Sequence, residues 1–314
     1  MKESSGEISV QPHQIPGQNN VKSGIPCYNR NRGVKMNFPT GKPHISYSEI
    51  KIWRECPWKH KKMYIEKVPT WEDNPYAEFG TIIHDCIENY LKTGKMEVEN
   101  VEQRLLEKWN EYKFDSEEYI QKMKIQRAKF DLRYRHEPFS SWVNSAHSIL
   151  ESIPNFMKEN FGEWTYISAE EQLYESIDSQ ELKFKGFIDA IIKSNINGKE
   201  KYWIIDWKTT GPRGWYTDKR RDFLTQAQIG LYKKYWSKRE NIPMNKIGCG
   251  YALLKRNTKP EKCAWFMTVS VGPKFVTRAD KLVDSMIKTV NNGMYLKNRA
   301  NCRFCSFYQT EHCT

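Results

Sequence analysis

The 314-residue chain is long enough to bury a substantial core, as one large domain or two modest ones, without disulfide staples. Its 39% hydrophobic and 13% aromatic content, with 11 Trp and 17 Tyr, excludes a wholly disordered protein. Fifty Lys and Arg against 38 Asp and Glu leave a formal net charge of +12, which favours polyanionic partners, nucleic acid before an anionic membrane surface. No apolar run approaches the roughly 18 residues of a spanning helix, and the N-terminal MKESSGEISVQPHQ lacks the apolar stretch of a secretory signal. A soluble, cytoplasmic protein is expected, without membrane contact, its eight cysteines serving as free thiols or metal ligands rather than disulfides.

Residues 1–42 mix Ser, Gly, Asn, Gln and Pro with basic residues and carry no periodicity, the pattern of a flexible basic arm. A helix start follows at Ser46, with Glu49 at capping-box spacing, and an amphipathic run from Ile50 to Tyr64 is kinked or restarted at Pro57. Residues 79–93 predict a second helix with Ile83, Ile87, Tyr90 and Leu91 on one side. Residues 101–161 read as a charged helical subdomain whose apolar positions include Leu105, Trp109, Trp142, Ile149 and Ile153. Alternation turns strand-like over 164–177, 182–192 and 202–207. A helix over 222–236, strands over 248–254 and 263–271, a helix over 277–291 and a cysteine-bearing tail at 300–314 complete the chain. Helices around a central mixed sheet predict an α/β or α+β core spanning 43–314.

Asp189 in GFIDAII, and Asp206 with Lys208 in WIIDWKTT, interrupt apolar strands, where a charge requires a partner. Two carboxylates brought side by side by a hairpin repel until a divalent cation lies between them. Lys208 falls two residues beyond Asp206, on the same sheet face, placed to stabilise charge developing on a phosphate or to orient an attacking water. Glu170 and Glu171 precede this hairpin as solvated strand positions, with second-metal binding as the alternative reading. The basic and aromatic runs Trp203–Trp215, Lys219-Arg220-Arg221 and Lys233-Lys234 offer phosphate contacts and stacking surfaces for a single strand.

With these residues in view, the sequence resembles the PD-(D/E)XK nuclease superfamily, and within it the RecB-type exonuclease branch of the CRISPR-associated and AddB-like iron–sulfur nucleases. Ser46-Tyr47-Ser48 through Cys56-Pro57 resembles the branch's opening helix, Gly80–His84 its G-x-x-x-H helix, and Gly186–Asp189 its G-x-x-D strand. Asp206-Trp207-Lys208 resembles the D-x-K strand, and Gln228 with Tyr232 the Q-x-x-x-Y helix. The resemblance implies a restriction-endonuclease-like α/β core with a helical insertion. It also implies Mg2+ or Mn2+ held by His84, Asp189, Asp206 and the Trp207 main-chain carbonyl, with Lys208 as the catalytic lysine beside Asp189 and Asp206. Gln228 and Tyr232, four apart on one helix face, would contact substrate or orient Lys208.

Cys302-x2-Cys305 places two sulfurs on one tight loop, and Cys313 supplies a third. Cys56, at the Cys-Pro step, is where the resembling branch supplies the fourth, which implies a 4Fe-4S cluster with Zn2+ as the alternative. The seven residues between Cys305 and Cys313 exceed the branch's usual interval, and His312 is a substitute ligand. The function expected is a metal-dependent DNA exonuclease of recombination, repair or phage DNA processing, acting on single strands or free ends, with a helicase or recombination partner. A non-cleaving DNA-binding scaffold of the same fold is the alternative. A nucleotide-dependent oxidoreductase lacks its Gly motif.

Overall fold

The computed structural model describes residues 38–70, 74–178, 180–196, 198–303 and 305–313. Residues 1–37, most of the expected arm, lie outside the described residues, but Phe38 and Thr40, also assigned to it, are buried. Ser46 closes a short strand, β1 (His44–Ser46), and its hydroxyl accepts the Glu49 N–H at 3.2 Å to cap α1 (Tyr47–Glu55). The reciprocal half of the capping box does not form. The Glu49 carboxylate turns inward and meets His60 Nε2 at 3.0 Å, with both side chains buried. Pro57 restarts the helix as α2 (Pro57–His60), where its missing N–H costs nothing, and a π-helical turn over Lys61–Ile65 follows.

The long helix α3 (Pro75–Thr93) starts at an Asn74 cap and stops at Gly94, whose φ of 73° lies in the left-handed region that glycine adopts freely. The charged segment forms α4 (Val101–Tyr112), α5 (Glu117–Ala128) and α6 (Phe139–Phe161). Then come β2 (Glu163–Ser176), β3 (Lys183–Ile196), β4 (Lys199–Thr210), α7 (Thr217–Arg221), α8 (Phe223–Glu240), β5 (Ile247–Lys255), α9 (Pro260–Cys263), β6 (Ala264–Thr268) and α10 (Pro273–Asn291).

The six strands form one mixed sheet. β3 is antiparallel to β2 and to β4, and parallel to β1; β5 runs parallel to β4 and antiparallel to β6. Two apolar layers cover it. On one face α1, α8 and α10 pack Ile50, Trp53, Leu231, Tyr235 and Met286 onto Phe184, Ile204 and Leu253. On the other, α3 and α6 pack Phe79, Ile83, Ile149 and Ile153 onto Ile205, Trp207 and Leu254. The helices of 101–161 share this second core: the Trp142 ring lies 5.3 Å from both Phe79 and Trp109. This is the mixed sheet flanked by helices expected of a restriction-endonuclease-like α/β fold. No helix among the described residues is long and apolar enough to cross a membrane.

The Glu49–His60 pair fastens α1 to α2 inside the core. Removing one member of a buried polar pair strands the other, at a cost of about 3–5 kcal/mol, whereas an apolar pair of similar volume recovers much of it. We expect His60→Ala to lower the urea midpoint accordingly and the double change Glu49→Leu/His60→Leu to lower it less.

Candidate active site

Along one edge, β3 changes partners. Lys183–Lys185 pair with β1 and Ala190–Ile196 pair with β4, so Gly186-Phe187-Ile188-Asp189 faces neither strand there. β4 leaves β3 after Ile205 and continues beside β5 alone, so the two strands part where Asp189 and Asp206 stand, and this parting is the cleft of the site. Within it the Asp189 carboxylate substitutes for the missing ladder partner by accepting the Trp207 N–H at 2.8 Å. The alternation of β3 also slips at this point. Ile188 and Ile191, three residues apart, both face the α1–α8–α10 layer, while Ala190 and Ile192 face the other. Across β2, Glu170 lies in the left-handed region at φ 47°, the kind of local irregularity that re-aims side chains beside functional clefts.

Asp206 is fully buried; one carboxylate oxygen is hydrogen-bonded by Lys208, and the other, Oδ2, has no partner. Burial pushes the Asp206 carboxyl up to about 7, against the pull of Lys208 and reinforced by Asp189. Asp189 is pushed up to about 6, again chiefly by burial, with Lys208 and the Trp207 N–H acting against it. Burial alone would lower Lys208, but the two carboxylates outweigh it and hold the ammonium firmly protonated. His84 Nδ1 lies 3.7 Å from Asp189 Oδ2. Burial and the Lys208 charge push His84 down to about 4, leaving a neutral imidazole with a free lone pair, the form that ligates metals. Two carboxylates against one ammonium, a neutral imidazole and an unpartnered buried oxygen suit a hard divalent cation. Among the described residues, no three His, Cys, Asp or Glu side chains already enclose a common point.

Two glycines set this geometry. A Cβ on Gly80 would stand 3.1 Å from Thr209 Oγ1, so α3 approaches β4 just past Lys208 and presents His84 one turn later. A Cβ on Gly186 would stand 2.6 Å from the Tyr232 ring, which packs against the stretch of β3 that faces neither β1 nor β4. Gln228 donates to the Tyr232 hydroxyl at 3.2 Å. Burial, seconded by the Asp206 charge, pushes that hydroxyl up to about 12. Tyr232 therefore belongs with Asp206 and Lys208 electrostatically, and Gln228 reaches them through it.

Cys56, Cys302, Cys305 and Cys313 line one small cavity where the C-terminal tail meets α1 and α2. The Asn298 N–H points at Cys56 Sγ at 3.4 Å, and Asn298 and Asn301 side chains donate to the Glu55 carbonyl at 2.9 and 2.7 Å, satisfying a helix end that would otherwise be orphaned. Trp58 Nε1 donates to the His312 carbonyl at 2.9 Å. His312 does not line the cavity; its ring lies against Phe307 instead. Cys86, Cys249 and Cys263 are buried elsewhere, and Cys27 lies outside the described residues.

The surface residues divide sharply. Glu171 is paired with Arg239 at 2.6 Å, while Glu170 is exposed, its carboxyl raised by partial burial and by Glu88, Asp85 and Asp206. Lys233 is buried with Nζ 3.5 Å from the Val271 carbonyl, Lys234 is paired with Asp280 at 2.6 Å, and Trp203 packs between Phe161 and Phe266. None of these three offers the phosphate or base contacts expected of it. The Trp215–Arg221 segment stays at the surface.

Overpacking a filled site costs about 1–3 kcal/mol. Gly186→Ala is therefore expected to lower the melting temperature by displacing Tyr232, and Tyr232→Ala combined with it to recover part of the loss, a coupling that a double-mutant cycle measures.

No curated protein matches this sequence. Among solved structures, that of a presumed exonuclease from Eubacterium rectale superposes with a TM-score of 0.46 at 12% identity, over 90% of this chain and 94% of that one. The profile of the PD-(D/E)XK nuclease superfamily matches residues 44–310, which take in the opening helix, the Gly80–His84 turn, both aspartate strands, Lys208 and the Gln228–Tyr232 helix. The chain belongs to the PD-(D/E)XK nuclease superfamily.

Proposed function

We propose that this nuclease is a metal-dependent DNA exonuclease of the RecB-type branch, working in recombination, repair or phage DNA processing. The observation that carries the site assignment is the buried, unpartnered Oδ2 of Asp206 beside Asp189 and neutral His84, with Lys208 held on the other oxygen. His84, Asp189, Asp206 and the Trp207 carbonyl would hold Mg2+ or Mn2+. The cation, when bound, acidifies a water and polarises the phosphodiester.

The remaining work falls to the chain. The Asp189 carboxylate, fixed by the Trp207 N–H, bridges the parted strands in place of a ladder bond and is held beside Asp206. Lys208, kept protonated by both aspartates, stabilises the negative charge that grows on the phosphate oxygens and orients the attacking water. Tyr232, bonded by Gln228, stands against Gly186 and within the electrostatic reach of Asp206 and Lys208. Action on free ends rests on the order of the motif pieces along the chain, which is that of the RecB-type branch.

Asp206→Ala and Lys208→Ala are expected to lose cleavage of end-labelled linear DNA by at least about 100-fold, the loss typical of a group acting on developing charge. Calorimetric titration separates their roles: Asp206→Ala loses Mn2+ binding, His84→Ala weakens it, and Lys208→Ala retains it. Full activity in either of the first two variants refutes the assignment. Cleavage of circular as well as linear DNA refutes the exonuclease reading, and binding without cleavage by the wild type leaves a scaffold.

The four cysteines line one cavity without already enclosing a common point, and we infer that a single metal centre, separate from the catalytic ion, would draw them together and staple the tail to the opening helix. Four thiolates suit a 4Fe-4S cluster or Zn2+. Protein purified without oxygen is expected to be brown, with iron and sulfide. Ser at any of Cys56, Cys302, Cys305 or Cys313 should bleach it and lower its melting temperature, whereas Cys249→Ser should leave the colour intact. Colourless protein with one zinc would decide for the alternative.

A further inference from the structure

A groove of about 690 Å3 lies where α1, the start of α8, α10 and the C-terminal tail meet. None of His84, Asp189, Asp206, Lys208, Gln228 or Tyr232 lines it. Its apolar side chains are Trp53, Phe223, Leu224 and Leu282, and its cations are Arg54, Arg278 and Lys281. Two tyrosines fix the α8 end: Tyr47 donates to the Leu224 carbonyl, and Tyr251 donates to the Thr225 carbonyl at 2.5 Å. That wall is set before anything docks, which lowers the entropy that binding costs.

The three cations have no ion-pair partner among the described residues, in a chain where Lys62, Lys193, Lys234 and Lys238 each have one. Arg278 and Lys281 lie three apart on α10, a spacing that makes them neighbours and sets like charges against one another. The Arg278 guanidinium stands 3.8 Å from the Phe223 ring centroid, a contact that holds it in place and leaves its N–H groups without an acceptor. Trp53, buried in the groove wall, adds an indole N–H that also has no acceptor.

The lining also selects the kind of anion. Glu55 and Asp222 stand in the same walls, Asp222 fixed there by accepting the Thr225 N–H at 2.7 Å and its hydroxyl at 3.0 Å. A run of phosphates would meet both carboxylates, whereas a peptide carries N–H groups that they accept. Nor does a nucleic-acid base find an open ring, since Phe223 is flanked by Arg278 and by the Phe275 ring at 5.3 Å, and Trp53 is buried. Residues 1–37 carry five Lys or Arg against two Glu, the wrong sign for these cations.

We propose that this groove docks a short acidic segment of a partner protein, its carboxylates on Arg54, Arg278 and Lys281 and an apolar side chain against Phe223, Leu224 and Leu282. The volume suits a few residues and not a folded domain. Arginine takes a carboxylate through two parallel N–H bonds, so Arg278, already fixed on Phe223, is the anchor. The inference concerns attachment to a partner and does not depend on the reading of Asp206 and Lys208.

The test is fluorescence anisotropy of the full chain, without metal or DNA, against labelled octapeptides that each combine four Asp or Glu with one Leu, Ile, Phe or Trp, and against the same set with Lys in place of the acids. Acidic members are expected to bind saturably with Kd below about 1 mM, and the lysine set not at all. Arg54→Ala/Lys281→Ala and Arg278→Ala should each weaken the tightest peptide by about tenfold or more, the loss of a charge-assisted hydrogen bond. Arg278→Lys should recover only part of it, because an ammonium does not fork a carboxylate. Lys124→Ala, on α5 outside the groove, should bind as the wild type does. All four side chains are exposed, so the variants are expected to keep the wild-type melting temperature. Binding of no acidic peptide, or wild-type affinity in the Arg54→Ala/Lys281→Ala variant, overturns the proposal. So does displacement of the peptide by oligothymidylate that the double variant binds more weakly, which makes the groove a nucleic-acid site. Peptide binding that appears only after removal of residues 1–37 overturns it too, since the arm is then the occupant. A wild type that binds peptide but never cleaves DNA strikes the exonuclease reading alone, and one that cleaves but binds no peptide strikes this inference alone.

Discussion

Everything in the cleft depends on a carboxylate that water cannot reach. Asp206 sits on a strand whose neighbours Ile204, Ile205 and Trp207 are buried, and burying a charge without compensation costs several kcal/mol. Lys208 compensates one oxygen, and Asp189 adds a second negative charge instead of removing the first. The protein thus stores an excess of one buried carboxylate, a state that only a cation or a proton relieves. The same constraint explains why β4 departs from β3 where it does. Continued pairing would set Asp189 and Asp206 directly opposite one another in a closed ladder, whereas separation lets Asp189 take the Trp207 N–H.

Holding that arrangement requires packing from both faces of the sheet. Gly80 lets α3 close on Thr209 and so delivers His84 from the second apolar layer. Gly186 lets Tyr232 close on β3 from the first. Both are cases in which the absent side chain is the functional feature, because any Cβ would hold apart the elements that the site brings together. The opening helix adds a third support, since Tyr47 reaches the Leu224 carbonyl at the start of α8 while Glu49 is locked onto His60. The cysteine-lined cavity and the Asn298 and Asn301 bonds to Glu55 tie the tail to that same helix, so both ends of the described fold bear on the cleft.

The net positive charge acquires meaning only when the cations are placed. Many lysines are spent in local pairs such as Lys62–Glu66 and Lys193–Glu200, which contribute little to binding or to stability. Lys208, held by the two buried aspartates, is the cation that the site itself keeps.

The primary sequence alone determined most of the helix and strand order, β1 and α9 excepted, because period and punctuation are local: the Ser46 cap, the restart at Pro57 and the strands that carry Asp189 and Asp206 all stand where they were expected. It also singled out Asp189, Asp206, Lys208 and His84 as chemistry-bearing, since charges in apolar strands and ordered motif spacing are visible without coordinates. Periodicity does not reveal which partner a charged side chain finds. Glu49 was read as half of a capping box and proved to be buried against His60; of two residues read as substrate contacts, Lys233 proved to be buried and Trp203 half-buried against Phe161 and Phe266. The slip of β3 at Asp189, the orphaned oxygen of Asp206 and the gathering of Cys56 with the three distant C-terminal cysteines were decided only by tertiary structure. Each depends on contacts between segments far apart in the chain, and such contacts are fixed by how two apolar layers close on one sheet, not by any local run of residues.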